Sequence, residues 1–147
     1  MNAPKRLTDE EYNFIFDRVA RLSIDLVITS NEGILLSLRD IEPFKGMWHL
    51  PGGMIYKNES VSEAAQRIAR AETGLEVKIG SCIGYIEYIH ASQDDHDRHT
   101  VSIVLSALPR ENEPKTDYQA QRIQFHPKAP NNIIEQQKRF LVEHNLI

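Results

Sequence analysis

Cysteine is almost absent: Cys82 is the only one in 147 residues. That excludes an internal disulfide and any cysteine-rich zinc site, and it suits a reducing compartment. Long apolar runs are missing as well. None approaches the ~18 residues that a membrane helix needs, and the opening MNAPKRLTDEEY lacks the apolar stretch of a secretory signal. A cytoplasmic protein with no membrane contact is expected. Charge of one sign is not in excess either, since 17 Lys and Arg face 21 Asp and Glu for a formal −4. This balance argues against a nucleic-acid surface but allows a local basic pocket for a small phosphorylated ligand. There are no repeats, low-complexity tracts or dividing linkers. We therefore expect a flexible tail at 1–7 and one domain over 8–147, with 41% hydrophobic residues to build its core.

Thr8 and Glu11 have capping-box spacing for a helix running to about Arg21, with Phe14, Ile15, Val19 and Leu22 as its apolar members. LSIDLVIT (22–29) and ILLSLR (34–39) read as strands of a hairpin turned at SNEG by Asn31 and Gly33. DIEPFKGMWHLPGG then holds two prolines and three glycines. It reads as a long irregular connection with a short strand at Trp48 to Leu50, and long connections in compact domains tend to carry function. Ser60 with Glu63, and Gly74, bracket a helix over 61–73. Residues 76–91 suggest a bent strand, 100–108 an alternating one, 122–126 a short last strand, and 131–146 a closing amphipathic helix. The polar ASQDDHDRH between the two longer strands reads as a loop. The order is α, β, β, loop, α, β, β, β, α, which makes an α/β fold with a mixed sheet between helices.

One side chain in RIARAETGL (67–75) is out of place. At about 100° per residue, Val61, Ala65, Ile68 and Glu72 fall within roughly 40° of one direction. Glu63, Gln66, Arg67 and Arg70 cluster opposite, as a solvated face would. A carboxylate in the last turn also opposes the helix dipole and needs a compensating cation.

Counted from Gly53 of PGG (51–53), Glu59 follows after five residues and Arg67 after seven more, with Glu72 and Gly74-Leu75 beyond. This spacing resembles the Nudix box, G-x5-E-x7-R-E-U-x-E-E-x-G-U, where U is aliphatic, and the order of elements is similar over nearly the whole chain. The resemblance implies the Nudix α/β/α sandwich and a divalent metal, Mg²⁺ or Mn²⁺, held beside a diphosphate. Glycines let backbone carbonyls reach a ligand, and carboxylates supply hard oxygen donors. Ile68 and Ala71 stand where the box has glutamates, a reduction that GDP-mannose mannosyl hydrolases share. Arg39, Pro43, Gly46 and Trp48 also match that subfamily's approach to the box.

That resemblance implies metal ligands at Glu72, the Gly52 carbonyl and Gln119, with Arg39 facing the departing diphosphate. Glu59 and Arg67 would tie helix to loop or act directly. The subfamily's histidine base falls at Ala120, and an arginine it carries after the GG is Met54 here. Glu87, His90, His96 and His99 remain as candidate bases, or as solvated loop residues. Trp48 is expected in the core. The implied substrate is a nucleoside diphosphate joined to another group, a nucleotide sugar first. Attack at the sugar carbon or at phosphorus, ordinary pyrophosphohydrolysis, a ligand-binding module of weak chemistry, and a homodimer all stay open.

Overall fold

A computed structural model describes residues 6–41, 44–89, 97–110 and 122–147. The elements run α1 (Asp9–Phe16), β1 (Arg21–Ser30), β2 (Gly33–Leu38), β3 (Trp48–His49), β4 (Gly52–Met54), α2 (Val61–Thr73), β5 (Val77–Tyr88), β6 (Thr100–Pro109), β7 (Ile123–His126) and α3 (Glu135–Glu143). The seven strands form one mixed sheet in the order β3-β2-β1-β6-β5, with β4 added to β1 and β7 to β2. Only the β1–β6 pairing is parallel among these. The bend expected in β5 is present as register shifts between Ile79 and Cys82 and between Cys82 and Gly84.

Helix α2 forms where its caps place it. Ser60 Oγ accepts from the Glu63 N–H at 3.1 Å, the Glu63 carboxylate accepts from the Ser60 N–H at 2.8 Å, and Gly74 ends the helix at φ 71°. It buries Ala64, Ala65, Ile68 and Ala69 against Ile24, Leu26 and Ile28 of β1, making one apolar core. The apolar stripe differs from expectation in its centre. Val61 is exposed and Glu72 half-buried, so the carboxylate lies at the margin of the packed face, where it reaches a cleft.

Side chains alternate across a strand, so Arg21, Ser23, Asp25 and Val27 of β1 face the other way, toward α3. Val27, Leu36, Val104, Phe140 and Leu141 form a second apolar core there. Three segments depart from the sequence reading. The first helix stops at Phe16, capped by Asp17, and Phe14, Val19 and Leu22 are exposed. Its body-facing side carries Tyr12, Asn13 and Phe16. PGG enters a short strand because Gly52 and Gly53 pair with Asp25 and Ile24. The closing helix spans only Glu135–Glu143, after an irregular stretch in which the Trp48 N–H donates to the Asn132 carbonyl. Trp48 packs beside the second core with its ring edge on His126 at 4.4 Å, as expected of a core residue.

Candidate active site

Two cavities meet at a wall made of Arg39, His49 and Glu72. The larger, about 480 Å³, opens between β1, β4, β6 and α3 and is floored by Ser23, Asp25, Thr100 and Ser102. The smaller, about 260 Å³, lies on the other side, beside Ser37, Asp40, Ala71 and Arg122. The strand ends explain the polar floor. In the parallel β1–β6 register Arg21 pairs Thr100, Ser23 pairs Ser102, and Asp25 pairs Val104. The α3-facing side is therefore apolar beneath that helix and polar beyond it.

Glu72 is half-buried, and among the described residues its carboxylate makes no hydrogen bond or ion pair. Burial raises its pKa above the usual carboxylate value, and the charge of Arg39 opposes that rise. Gly52 lines the same cavity with bare backbone. A Cβ there would stand 2.4 Å from Asp25 Oδ1 and 2.9 Å from the Ile24 carbonyl, so no side chain can screen this edge.

Asp25 is 7% exposed and Tyr88 donates to its Oδ2 at 2.7 Å. Gln137 Nε2 donates to the Tyr88 oxygen at 3.0 Å, and the Leu50 N–H donates to Gln137 Oε1 at 2.6 Å. This chain runs from the floor through β5 and α3 to the segment before PGG. Burial pushes the Asp25 pKa up to about 6 against the lowering effect of the Tyr88 bond, and it pushes Tyr88 up as well. Ser102 Oγ lies near Asp25 but closes no hydrogen bond of good geometry, and it is buried against the cavity. His49 Nδ1 lies 2.8 Å from the Leu50 carbonyl. A carbonyl only accepts, so Nδ1 carries the proton and a neutral ring leaves Nε2 as an acceptor. Burial lowers the His49 pKa.

The structure brings Arg39, Gly52 and Glu72 together at this cleft. Glu59 and Arg67 sit apart from it, joined by bonds of 2.7 and 2.9 Å, with a further 2.7 Å bond from Arg67 to the Met54 carbonyl. The Glu59 carboxylate also accepts from the Tyr56 N–H, and Arg67 covers the Tyr56 ring at 3.9 Å. The pair clamps α2 to the loop after β4, and Arg67 holds the Glu59 pKa below its usual value. His99 is exposed and lines neither cavity, and its backbone carbonyl accepts from the Arg21 N–H. Glu87 is exposed on β5. His90, His96, Gln119 and Ala120 lie outside the described residues. The sequence reading missed His49, Asp25, Tyr88, Ser102 and Gln137. Asp25 had a visible signal, as the only charge in LSIDLVIT, whereas the others gain meaning only by meeting in space.

The family model for the NUDIX domain matches residues 19–139. The low-salt glycan biosynthesis protein Agl8 of Haloferax volcanii is 39% identical over 89 residues, which are 60% of this chain and 57% of that protein. An ADP-ribose pyrophosphatase of Methanocaldococcus jannaschii is 39% identical over 85 residues, covering 57% and 48%. The matches thus span about half the length of these curated relatives. Among solved structures, the MutT protein of Methanosarcina mazei aligns with a TM-score of 0.71 at 19% identity, over 86% of this chain and 93% of that one. A MutT NUDIX hydrolase of Burkholderia pseudomallei aligns at 0.67 and 25% identity, over 86% and 98%.

Proposed function

The chain belongs to the NUDIX domain family, and we propose that it hydrolyses a nucleoside diphosphate joined to a second group, with a divalent cation, a nucleotide sugar being the substrate that fits best. The observation that carries this reading is Glu72. It is a half-buried, desolvated carboxylate without a hydrogen bond among the described residues, placed beside Arg39 at the junction of two cavities. A carboxylate so placed calls for a cation. The donors at hand are hard oxygens, the Glu72 carboxylate and the uncovered backbone at Gly52, and they suit Mg²⁺ or Mn²⁺. No group of three or more His, Cys, Asp or Glu residues able to hold a metal occurs among the described residues. Remaining positions would fall to Gln119 and to substrate phosphate oxygens. When bound, the cation supplies neutralisation of diphosphate charge.

Arg39 acts on the same diphosphate, its fixed charge stabilising the phosphate oxygen that departs. Asp25 and Ser102 favour a sugar. A buried carboxylate and a buried hydroxyl with no bond of its own accept and donate as sugar hydroxyls require, and they face the larger cavity. Tyr88 and Gln137 hold Asp25 in place for this. The Glu59–Arg67 clamp keeps α2, and Glu72 with it, in position against the loop. His90 stays a candidate base, while His99 is the weaker one because it faces neither cavity.

Two bonds are open to attack. Water adding to the sugar carbon breaks its bond to oxygen and releases sugar plus nucleoside diphosphate. Water adding to phosphorus breaks the P–O–P link and releases sugar phosphate plus nucleoside monophosphate. The name of the Methanocaldococcus relative, a pyrophosphatase, favours the second. Incubating GDP- and UDP-sugars and ADP-ribose with Mg²⁺ in ¹⁸O-water decides between them by where the label enters. Glu72→Gln should lower turnover at least about a hundredfold. Full activity in that variant would overturn the metal assignment, and micromolar nucleotide binding without turnover would overturn the enzymatic reading.

A further inference from the structure

We propose that the α1 end of the larger cavity is the nucleobase subsite, selecting bases that present carbonyl acceptors, guanine or uracil, over adenine. The inference deepens the proposed function and rests on it. Its starting point is that α1 contributes no buried residue to either core. The helix is nevertheless well formed, with Thr8 and Glu11 closing a capping box. It is fastened by its cavity side. Arg98, only 4% exposed, bonds Asp17 and Asn13, and Arg21 donates to the Tyr12 hydroxyl at 2.7 Å and to Thr100 Oγ1 at 2.9 Å. A helix held this way serves the cavity, since the core does not need it.

The side chains it presents suit a flat heterocycle. Tyr12 is fixed by its hydroxyl partner, by Phe16 at 4.7 Å between ring centres, and by the Arg98 guanidinium at 5.3 Å. An immobilised ring offers a stacking face at little entropic cost. Beside it, Asn13 has its oxygen engaged by Arg98, which leaves the two N–H groups of its amide without a hydrogen bond among the described residues. Arg21 likewise has Nη2 left over after its bonds through Nε and Nη1. The free capacity of Asn13 and Arg21 at this end is therefore donor, and the Ser23 hydroxyl beside them in the cavity can donate or accept. Guanine O6 or a uracil carbonyl can accept from Asn13 and Arg21, whereas adenine carries an amino group at the position of O6 and sets donor against those donors.

Position along β1 agrees. Arg21 and Asp25 point to the same side four residues apart, about 13 Å at 3.3 Å per residue. That span separates a base at α1 from Asp25 and the neighbouring Gly52, on the side of the cavity where the cation is proposed.

The test measures Mg²⁺-dependent binding of GDP, UDP, ADP and CDP by calorimetry, on wild type and three variants that leave the residues of both cores intact. Wild type should bind GDP or UDP about tenfold or more tightly than ADP. Tyr12→Leu should weaken the preferred nucleotide about tenfold, and Tyr12→Phe, which keeps the ring, should change it little. Asn13→Asp keeps an oxygen for Arg98 but replaces the donors by an acceptor, so the ratio of GDP or UDP to ADP affinity should fall about tenfold. Unchanged melting temperatures confirm that the variants fold. Equal binding of all four nucleotides by wild type, or an unchanged ratio in Asn13→Asp, overturns the subsite even while Glu72-dependent hydrolysis persists. Loss of all nucleotide binding and turnover in wild type would instead remove the proposed function beneath it.

Discussion

The two faces of the sheet are built on different principles. Toward α2 the core is apolar, from Ile24, Leu26 and Ile28 to Ala64, Ala65, Ile68 and Ala69, the buried Thr73 spends its hydroxyl on the Ala69 carbonyl of its own helix, and the helix is capped at both ends. Toward α3 an apolar patch passes into buried polar groups, Asp25, Ser102, Thr100 and Gln137, and α3 begins at Ile134 without a side-chain cap. The first face holds the carboxylate-bearing helix in place, and the second holds the pocket. A protein that must bury polar groups for a ligand keeps them together on one face and lets the other supply stability.

The largest effect that could break this comparison belongs to the α2 face. Ile68→Ala removes a side chain 2% exposed and should cost about 2–5 kcal/mol in urea unfolding. A cost near zero would show that this face is not the stabilising one.

Asp25→Asn probes the other face, with an effect that depends on pH. The folded pKa of Asp25 is about 6, against an ordinary value of 3.8, so the folded protein keeps a proton that the unfolded chain has released. The stability this confers is fully present below pH 3.8 and is lost as pH rises through about 6. Two pKa units correspond to about 3 kcal/mol. Thermal melts in chelator should show wild type losing stability across that interval and Asp25→Asn losing much less, with lower activity. Parallel pH curves would mean that Asp25 is not the titrating group.

Gln137→Leu leaves the Leu50 N–H and the Tyr88 hydroxyl without one partner each. A loss of about 1–3 kcal/mol should follow, with faster hydrogen exchange at Leu50. Protection unchanged at that amide would break the proposed link between α3 and the PGG segment.

Smallest is the clamp on the surface side of α2. The Glu59 pKa is depressed by Arg67, so its contribution is present above pH 4.5 and is lost as pH falls through the lower folded value. Because solvent screens such pairs, Glu59→Gln should cost under about 1 kcal/mol at pH 7. Melts of variant and wild type should converge at acid pH, and a gap that persists there would assign the loss to packing.

The α2 side was legible in the sequence to a degree the α3 side was not, for a local reason. Ser60, Glu63 and Gly74 act within a few residues of themselves, so the helix over 61–73 is found where its caps put it. Phe14, Val19 and Leu22 have helical spacing, yet they are exposed, because α1 docks through Tyr12, Asn13 and Phe16 instead. Spacing states which residues share a side of a helix. It does not state which side meets the body.

By itself, then, the sequence determined the hairpin at Gly33, the capped α2, the family spacing from Gly53 to Gly74, and the presence of Glu72 at the end of that helix. These depend on backbone geometry and neighbours a few residues away. Tertiary structure alone decided that Glu72 borders a cleft at the margin of the packed stripe, that Arg39 and His49 stand at the same wall, and that Asp25, Tyr88 and Gln137 form one chain. Those groups come from separate strands and helices. Their pKa values and free hydrogen-bonding capacity arise from burial and proximity, which exist only once the sheet has brought them together.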